Sequence, residues 1–105
     1  MNNSHPNEFI RRKIQKFFEG RFVDVNITSV SDGYVVFFNH ISVFDACEVT
    51  DPAAKIVYDG ARDEWELHWI SGDFRWHLYN AYPRMHEALE TMFGDKAANL
   101  FHKVI

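Results

Sequence analysis

Hydrophobic and polar positions change period several times along this chain of 105 residues, and each change marks an element. From Asn7 to Gly20 the apolar residues Ile10, Ile14, Phe17 and Phe18 recur at helical spacing, with Arg12 and Lys16 on the opposite side. That pattern predicts an amphipathic helix docked on one face. Asn7 supplies an N-cap, Glu8 suits the positive end of the helix dipole, and Gly20 suits a left-handed stop. Residues 21–30 then alternate, Val23, Val25 and Ile27 against Asp24, Asn26 and Thr28, which is the period of a half-buried strand. Asp32-Gly33 predicts a two-residue hairpin turn. It leads into Tyr34–Phe38, a continuous apolar run that predicts a central strand persisting through Ile41 and into Val43–Phe44. Asp51-Pro52 predicts a break, because proline lacks a donor and restricts its predecessor. Lys55–Tyr58 is the next strand, closed by Asp59-Gly60.

The clearest hairpin follows. Trp65–Ile70 and Phe74–Tyr79 alternate on either side of Ser71-Gly72-Asp73. A two-residue Gly72-Asp73 loop pairs Trp69 with Trp76 and Leu67 with Leu78. It gathers Trp65, Leu67, Trp69, Phe74, Trp76 and Leu78 into one core wall, whereas a three-residue loop puts the two apolar faces out of phase. In the first register Glu66, His68, Arg75, His77 and Tyr79 share the other face, with His68 opposite His77. Pro83 opens a second helix in which Met85, Ala88, Leu89, Met92 and Phe93 keep helical spacing, and Gly94 ends it. Asp95 caps a short third helix with Ala97, Leu100, Phe101 and Val104 inward. The order predicts one α+β domain over residues 1–105, with residues 1–6 flexible. It consists of an N-terminal helix, an antiparallel sheet of about five strands, and two C-terminal helices packed on one sheet face.

Several short patterns together resemble a known family. Asn7-Glu-Phe-Ile-Arg-Arg-Lys13, Pro52-Ala-Ala-Lys55-Ile-Val-Tyr58, the Trp65-x-Leu67-x-Trp69 and Trp76-His77-x-Tyr79 hairpin, and Glu87-Ala88-Leu89-Glu90 are similar to segments of the bacterial domain of unknown function 3024. The chain departs from that pattern at its C-terminal end, where a further helix replaces a Cys- and Phe-containing finish. The resemblance implies a small bacterial cytoplasmic domain and carries no catalytic residues over.

Composition narrows the function classes. At 47% apolar and 25% charged the chain has the make-up of a globular domain rather than a disordered or coiled-coil one. Eleven basic against fifteen acidic side chains, net −4, disfavour a dedicated nucleic-acid coat. The single Cys47 excludes an internal disulfide, the first residues lack a signal-peptide pattern, and no apolar run approaches membrane-spanning length. The expectation is a cytoplasmic protein without membrane attachment. The glycines are isolated, and there is no Gly-x-Ser-x-Gly elbow and no cysteine knuckle, so no cofactor is implied.

Four arrangements remain that carry chemistry. The polar-aromatic hairpin face of Glu66, His68, Arg75, His77 and Tyr79 suits a protein partner or a second copy in a homodimer. Within it, His68, His77 and Glu66 are a set that zinc accepts, and protonating two opposed histidines would weaken the hairpin. Arg11, Arg12, Lys13, Lys16 and Arg21 give residues 1–22 five basic against two acidic side chains, a local phosphate-binding face. In a ribonuclease-like version of that reading, His77 or His68 carries protons, Arg75 stabilises the phosphorane and Tyr79 positions substrate. Cys47 with His40 is a nucleophile–base pairing only if the thiol is accessible and activated. The leading expectation is a non-enzymatic binding or assembly module using the hairpin face, with the nucleic-acid and metal readings as alternatives.

Overall fold

The computed structural model describes residues 5–41, 44–94 and 101. Helix α1 (Glu8–Glu19) precedes strands β1 (Val25–Val30), β2 (Gly33–Ile41), β3 (Glu48–Asp59), β4 (Glu64–Ile70) and β5 (Trp76–Tyr82), and helix α2 (Met85–Thr91) follows. The strands form one antiparallel sheet in the order β1-β2-β3-β4-β5. Consecutive neighbours need only short connections, so the topology is a meander. This is the expected α+β fold. Of the two C-terminal helices α2 is present. The third falls on residues 95–105, of which only Phe101 is described; it is helical and buried.

Helix α1 forms as its sequence dictates. Asn7 is extended at the N-cap and its Oδ1 accepts from the Ile10 amide at 2.9 Å. Ile14 and Phe18 are fully buried. The stop differs from expectation. Gly20 stays right-handed, and Phe22 takes the left-handed position (φ 60°). The Val23 amide donates to the Phe18 carbonyl and the Phe22 amide to that of Glu19, which is the Schellman pattern. Pro83 lies two residues before the first residue of α2, whose N-cap Arg84 makes no side-chain cap.

Both helices cover the same sheet face. Ile14, Phe18, Ala88, Leu89 and Met92 meet Val25, Ile27, Tyr34, Val36, Ala54, Ile56 and Leu67 in one cluster that Phe101 completes. The opposite face carries no helix among the described residues. Its side chains run across the ladders as Thr28, Val35, Lys55, His68 and Leu78. Antiparallel sheets tolerate such one-sided cover.

One expected break is absent and one expected turn is displaced. Strand β3 runs through Pro52 because the β2–β3 register shifts between Val36 and Phe37, leaving an extra residue at Ala53. A bulge is one of the few places where a strand accepts proline. The first hairpin turns on Ser31-Asp32, one residue earlier than expected, since Val30 pairs with Gly33. Gly33 is needed for another reason: a Cβ there would collide with the Ile56 carbonyl of β3.

Tyr34, the first residue of the apolar run in β2, faces the core. It is fully buried, and its hydroxyl accepts from the Asn7 amide and bonds His5 Nδ1, each at 2.9 Å. The phenol donates to Nδ1 or accepts from it according to the imidazole tautomer, so the same contact serves either form of the ring. The His5 ring also packs against Tyr58 and Trp65 (centroids 4.8 and 5.1 Å). Of the stretch expected to be flexible, residues 1–4 lie outside the described residues.

Two outcomes follow. Gly33→Ala lowers stability by roughly 2–3 kcal/mol in urea unfolding, because β2 and β3 must separate to admit a methyl group. Burial holds the His5 pKa below its ordinary 6.5. The unfolded chain then binds more protons just below that pH, so the contribution of His5 is complete above about pH 6.5 and declines as the pH falls through it. Comparing unfolding midpoints at pH 7 and pH 5 for the wild type and His5→Phe checks this. The wild type should lose more than the variant, which has no imidazole to charge.

Candidate functional site

The turn between β4 and β5 organises the end of the sheet. Ser71 N–H donates to the Arg75 carbonyl and Phe74 N–H to the Ser71 carbonyl, each at 2.9 Å, with Phe74 left-handed at φ 62°. This is a three-residue loop, Gly72-Asp73-Phe74, of the type that normally places glycine at its last position. The resulting register pairs Ile70 with Trp76, Trp69 with His77 and His68 with Leu78. The expected pairing of Trp69 with Trp76 is therefore corrected. The phase conflict is resolved by a bulge between Leu67 and His68 opposite Tyr79, after which Leu67 pairs with Asn80 and Trp65 with Tyr82. Trp65, Leu67, Trp69, Tyr79 and Tyr82 pack on the core side. Trp76 and Leu78 point to the open face, and Phe74 stands 78% exposed in the turn.

The five hairpin residues singled out from the sequence are consequently divided. Glu66 and His68 lie on the open face, joined at 3.0 Å. His77 lies on the other side of the sheet, stacked on Trp69 (4.7 Å, 27°) with its Nε2 3.1 Å from Ser71 Oγ. Tyr79 packs edge-on against Phe101, and Arg75 is exposed beside Asp73. His68 and His77 are not opposed, so neither their mutual repulsion nor a zinc set with Glu66 arises. No group of three metal-ligating side chains occurs among the described residues. Ser71 Oγ contacts Asp73, the Arg75 carbonyl and His77. A hydroxyl has one proton to donate. Given to Asp73 or the carbonyl, it leaves His77 as donor, which closes the turn and does not activate a nucleophile.

The basic positions of α1 are mostly engaged. Glu8 accepts from Arg11 (2.7 Å) and Arg12 (2.9 Å), and these bonds hold its carboxyl down at about 2. Arg11 also reaches the Ile27 carbonyl. Arg21 pairs with Glu90 and lies over Phe17 and Phe93. Lys13 sits over Phe9, and neither it nor Lys16 has an acidic partner among the described residues. Cys47 is exposed and its amide donates to Asp45, while His40 is turned to Asp51.

A pocket opens where β3 and β4 part. Their pairing ends at Lys55–His68, so the earlier half of β3 and the end of β4 leave a gap. It holds a cavity of about 220 Å³ with Ala53, Ile70 and Phe101 at its base and Phe38, Pro52 and Phe74 as walls. His40 Nε2 and Asp51 Oδ2, 2.6 Å apart, form a polar edge, and Ser71 and Gly72 complete the lining. The cavity is below the roughly 300–1,000 Å³ usual for small-molecule sites, and it matches one partner side chain better than a cofactor. Sequence reading missed this site because its walls come from three strand ends, brought together by the Pro52 bulge and the Phe74 turn.

The model of the Domain of unknown function (DUF3024) matches residues 2–102. The chain belongs to this family. No curated protein and no solved structure matches it. Within this DUF3024 member no helix of the described residues is long and apolar enough to cross a membrane.

The turn makes a direct test of strain available. Phe74→Gly raises stability by about 1 kcal/mol, since a left-handed backbone costs an L-residue that much and glycine nothing. Urea unfolding with an unchanged m-value checks it. A loss of stability would mean that the Phe74 ring contributes more to the fold than its backbone costs.

Proposed function

We propose that the protein is a non-enzymatic binding and assembly module of the bacterial cytoplasm. Its Trp-rich hairpin holds protein partners, and the pocket beside the hairpin turn receives one apolar side chain. The observation that carries this reading is Phe74. It is an aromatic residue, 78% exposed, at a backbone position where glycine is the low-energy choice. Strain of this kind persists where a side chain has work outside the fold. A pocket with an apolar base and a polar edge is also the usual form of an interface anchor site. The His40–Asp51 edge offers a carboxylate to a donor on the partner next to the buried group. Assembly belongs to the same reading, with a second copy among the partners. An exposed, unpaired Cys47 suits a reducing compartment. The nucleic-acid alternative is weaker, because Arg11, Arg12 and Arg21 are already neutralised by Glu8 and Glu90.

The test is an amide-resolved NMR titration with N-acetyl-phenylalanine amide, using N-acetyl-alanine amide as control. The phenyl probe should shift the amides of Phe38, Ala53 and Ser71–Phe74, and the control should not. Phe74→Gly, although folded, should lose the response. Shifts absent from this region, or unchanged in Phe74→Gly, would contradict the proposal.

A further inference from the structure

We infer that the protein segment taken up beside the β4–β5 turn is cationic, an apolar anchor residue flanked by Lys or Arg. The inference rests on the pocket reading above and adds the partner's charge to it. In an antiparallel meander every second connection lies at the same end of the sheet. The α1–β1, β2–β3 and β4–β5 connections therefore share the end at which the pocket opens, and the β1–β2 and β3–β4 turns share the other. The Asn39 amide, which donates to the Asp24 carbonyl at 3.0 Å, ties the first two of these connections together.

This end is apolar at its surface. Of the large apolar residues exposed among the described residues, Phe22, Ile41, Phe44 and Phe74 stand here, and only Phe9 and Leu78 lie elsewhere. Phe22 is 98% exposed and, like Phe74, holds a left-handed backbone. Contact with a partner removes most apolar surface from water where such side chains gather.

The same end is acidic. From Phe22 to Ala54 the sequence holds no Lys or Arg, and Asp24, Asp45, Glu48 and Asp51 fall in that stretch at the pocket end. The arginines on this end are already held, Arg21 by Glu90 and Arg75 by Asp73. Lys16 and Glu19 share the last turn of α1 and add no net charge. Asp51 lines the pocket and keeps 47% of its side chain exposed beside His40. A carboxylate accepts at about four positions, so the His40 contact at Oδ2 leaves room for a second donor. Glu48 is exposed and has no ion pair among the described residues. A cleft rimmed by one sign of charge concentrates the opposite sign. Lys or Arg beside the anchor meets these carboxylates without breaking an arginine pair, whereas Asp or Glu meets like charge.

Amide-resolved NMR titration of the full chain with three peptides tests this. At about 10 mM salt, N-acetyl-Lys-Phe-Lys amide should bind at least about threefold tighter than N-acetyl-Ala-Phe-Ala amide, and N-acetyl-Glu-Phe-Glu amide should bind more weakly than either. In about 1 M salt, where screening acts within about 3 Å, the preference should fall below about 1.5-fold. Asp51→Asn combined with Glu48→Gln should remove at least about half of the preference at low salt, and Glu64→Gln at the opposite end should leave it unchanged. Equal binding of the three peptides overturns the inference and leaves the pocket reading intact. So does a preference that survives the double variant, or one that Glu64→Gln reduces as much. If no peptide shifts the amides of Ala53 and Ser71–Phe74, the pocket reading itself falls and this inference with it.

Discussion

The left-handed backbone of Phe74 closes the β4–β5 hairpin, and the surface of this protein follows from it. The three-residue loop sets Trp69 against His77 and Ile70 against Trp76. A strand's side chains alternate between faces, so a shift of one residue moves every one of them to the other side. With this register Trp76 and Leu78 leave the core wall and His77 joins Trp69. The bulge at Leu67/His68 then returns Tyr79 and Tyr82 to the packed side. The turn also holds Phe74 at the mouth of the pocket.

The packed side is ordinary in its physics. A continuous apolar cluster between two helices and one sheet face supplies most of the stability, at roughly 1.5–3 kcal/mol for each large aliphatic or aromatic side chain fully buried. Tyr34 is its polar exception. Its hydroxyl is satisfied by the Asn7 amide and His5, so a buried phenol ties the segment before α1 to the centre of the sheet without an unpaired group. The open side is less ordinary, since it combines aliphatic residues with the Glu66–His68 and Lys55–Asp32 pairs. Such a mixed face stands in water without demanding cover.

Local chemistry made much of this legible. Asn7 as N-cap, the Ile14–Phe18 stripe, the presence of five strands and the α2 pattern are each decided by neighbours within a few residues, and they stand as the sequence suggests. What escaped was decided at longer range. Glycine rules point to Gly20 and Gly33 for special backbone, whereas among the described residues the left-handed positions fall on Phe22, Ala46, Asp63 and Phe74. Ser71-Gly72-Asp73 is compatible with either hairpin loop, and only the packing of Tyr79 and Tyr82 against the core distinguishes them. Pro52 reads as a terminator until a bulge in the β2–β3 ladder accommodates it. The pocket was out of reach for the same reason, since its lining comes from strand ends far apart in the chain.

The register of the β4–β5 hairpin underlies the division of the histidines and the pocket wall, and interproton contacts measure it most directly. In antiparallel sheets the non-bonded pairs bring their α-carbons to about 4.5 Å, close enough for strong Hα–Hα contacts. The account predicts such contacts between His68 and Leu78 and between Ile70 and Trp76 in a nuclear Overhauser spectrum. An Hα–Hα contact between His68 and His77 would place the hairpin in the two-residue register and contradict it.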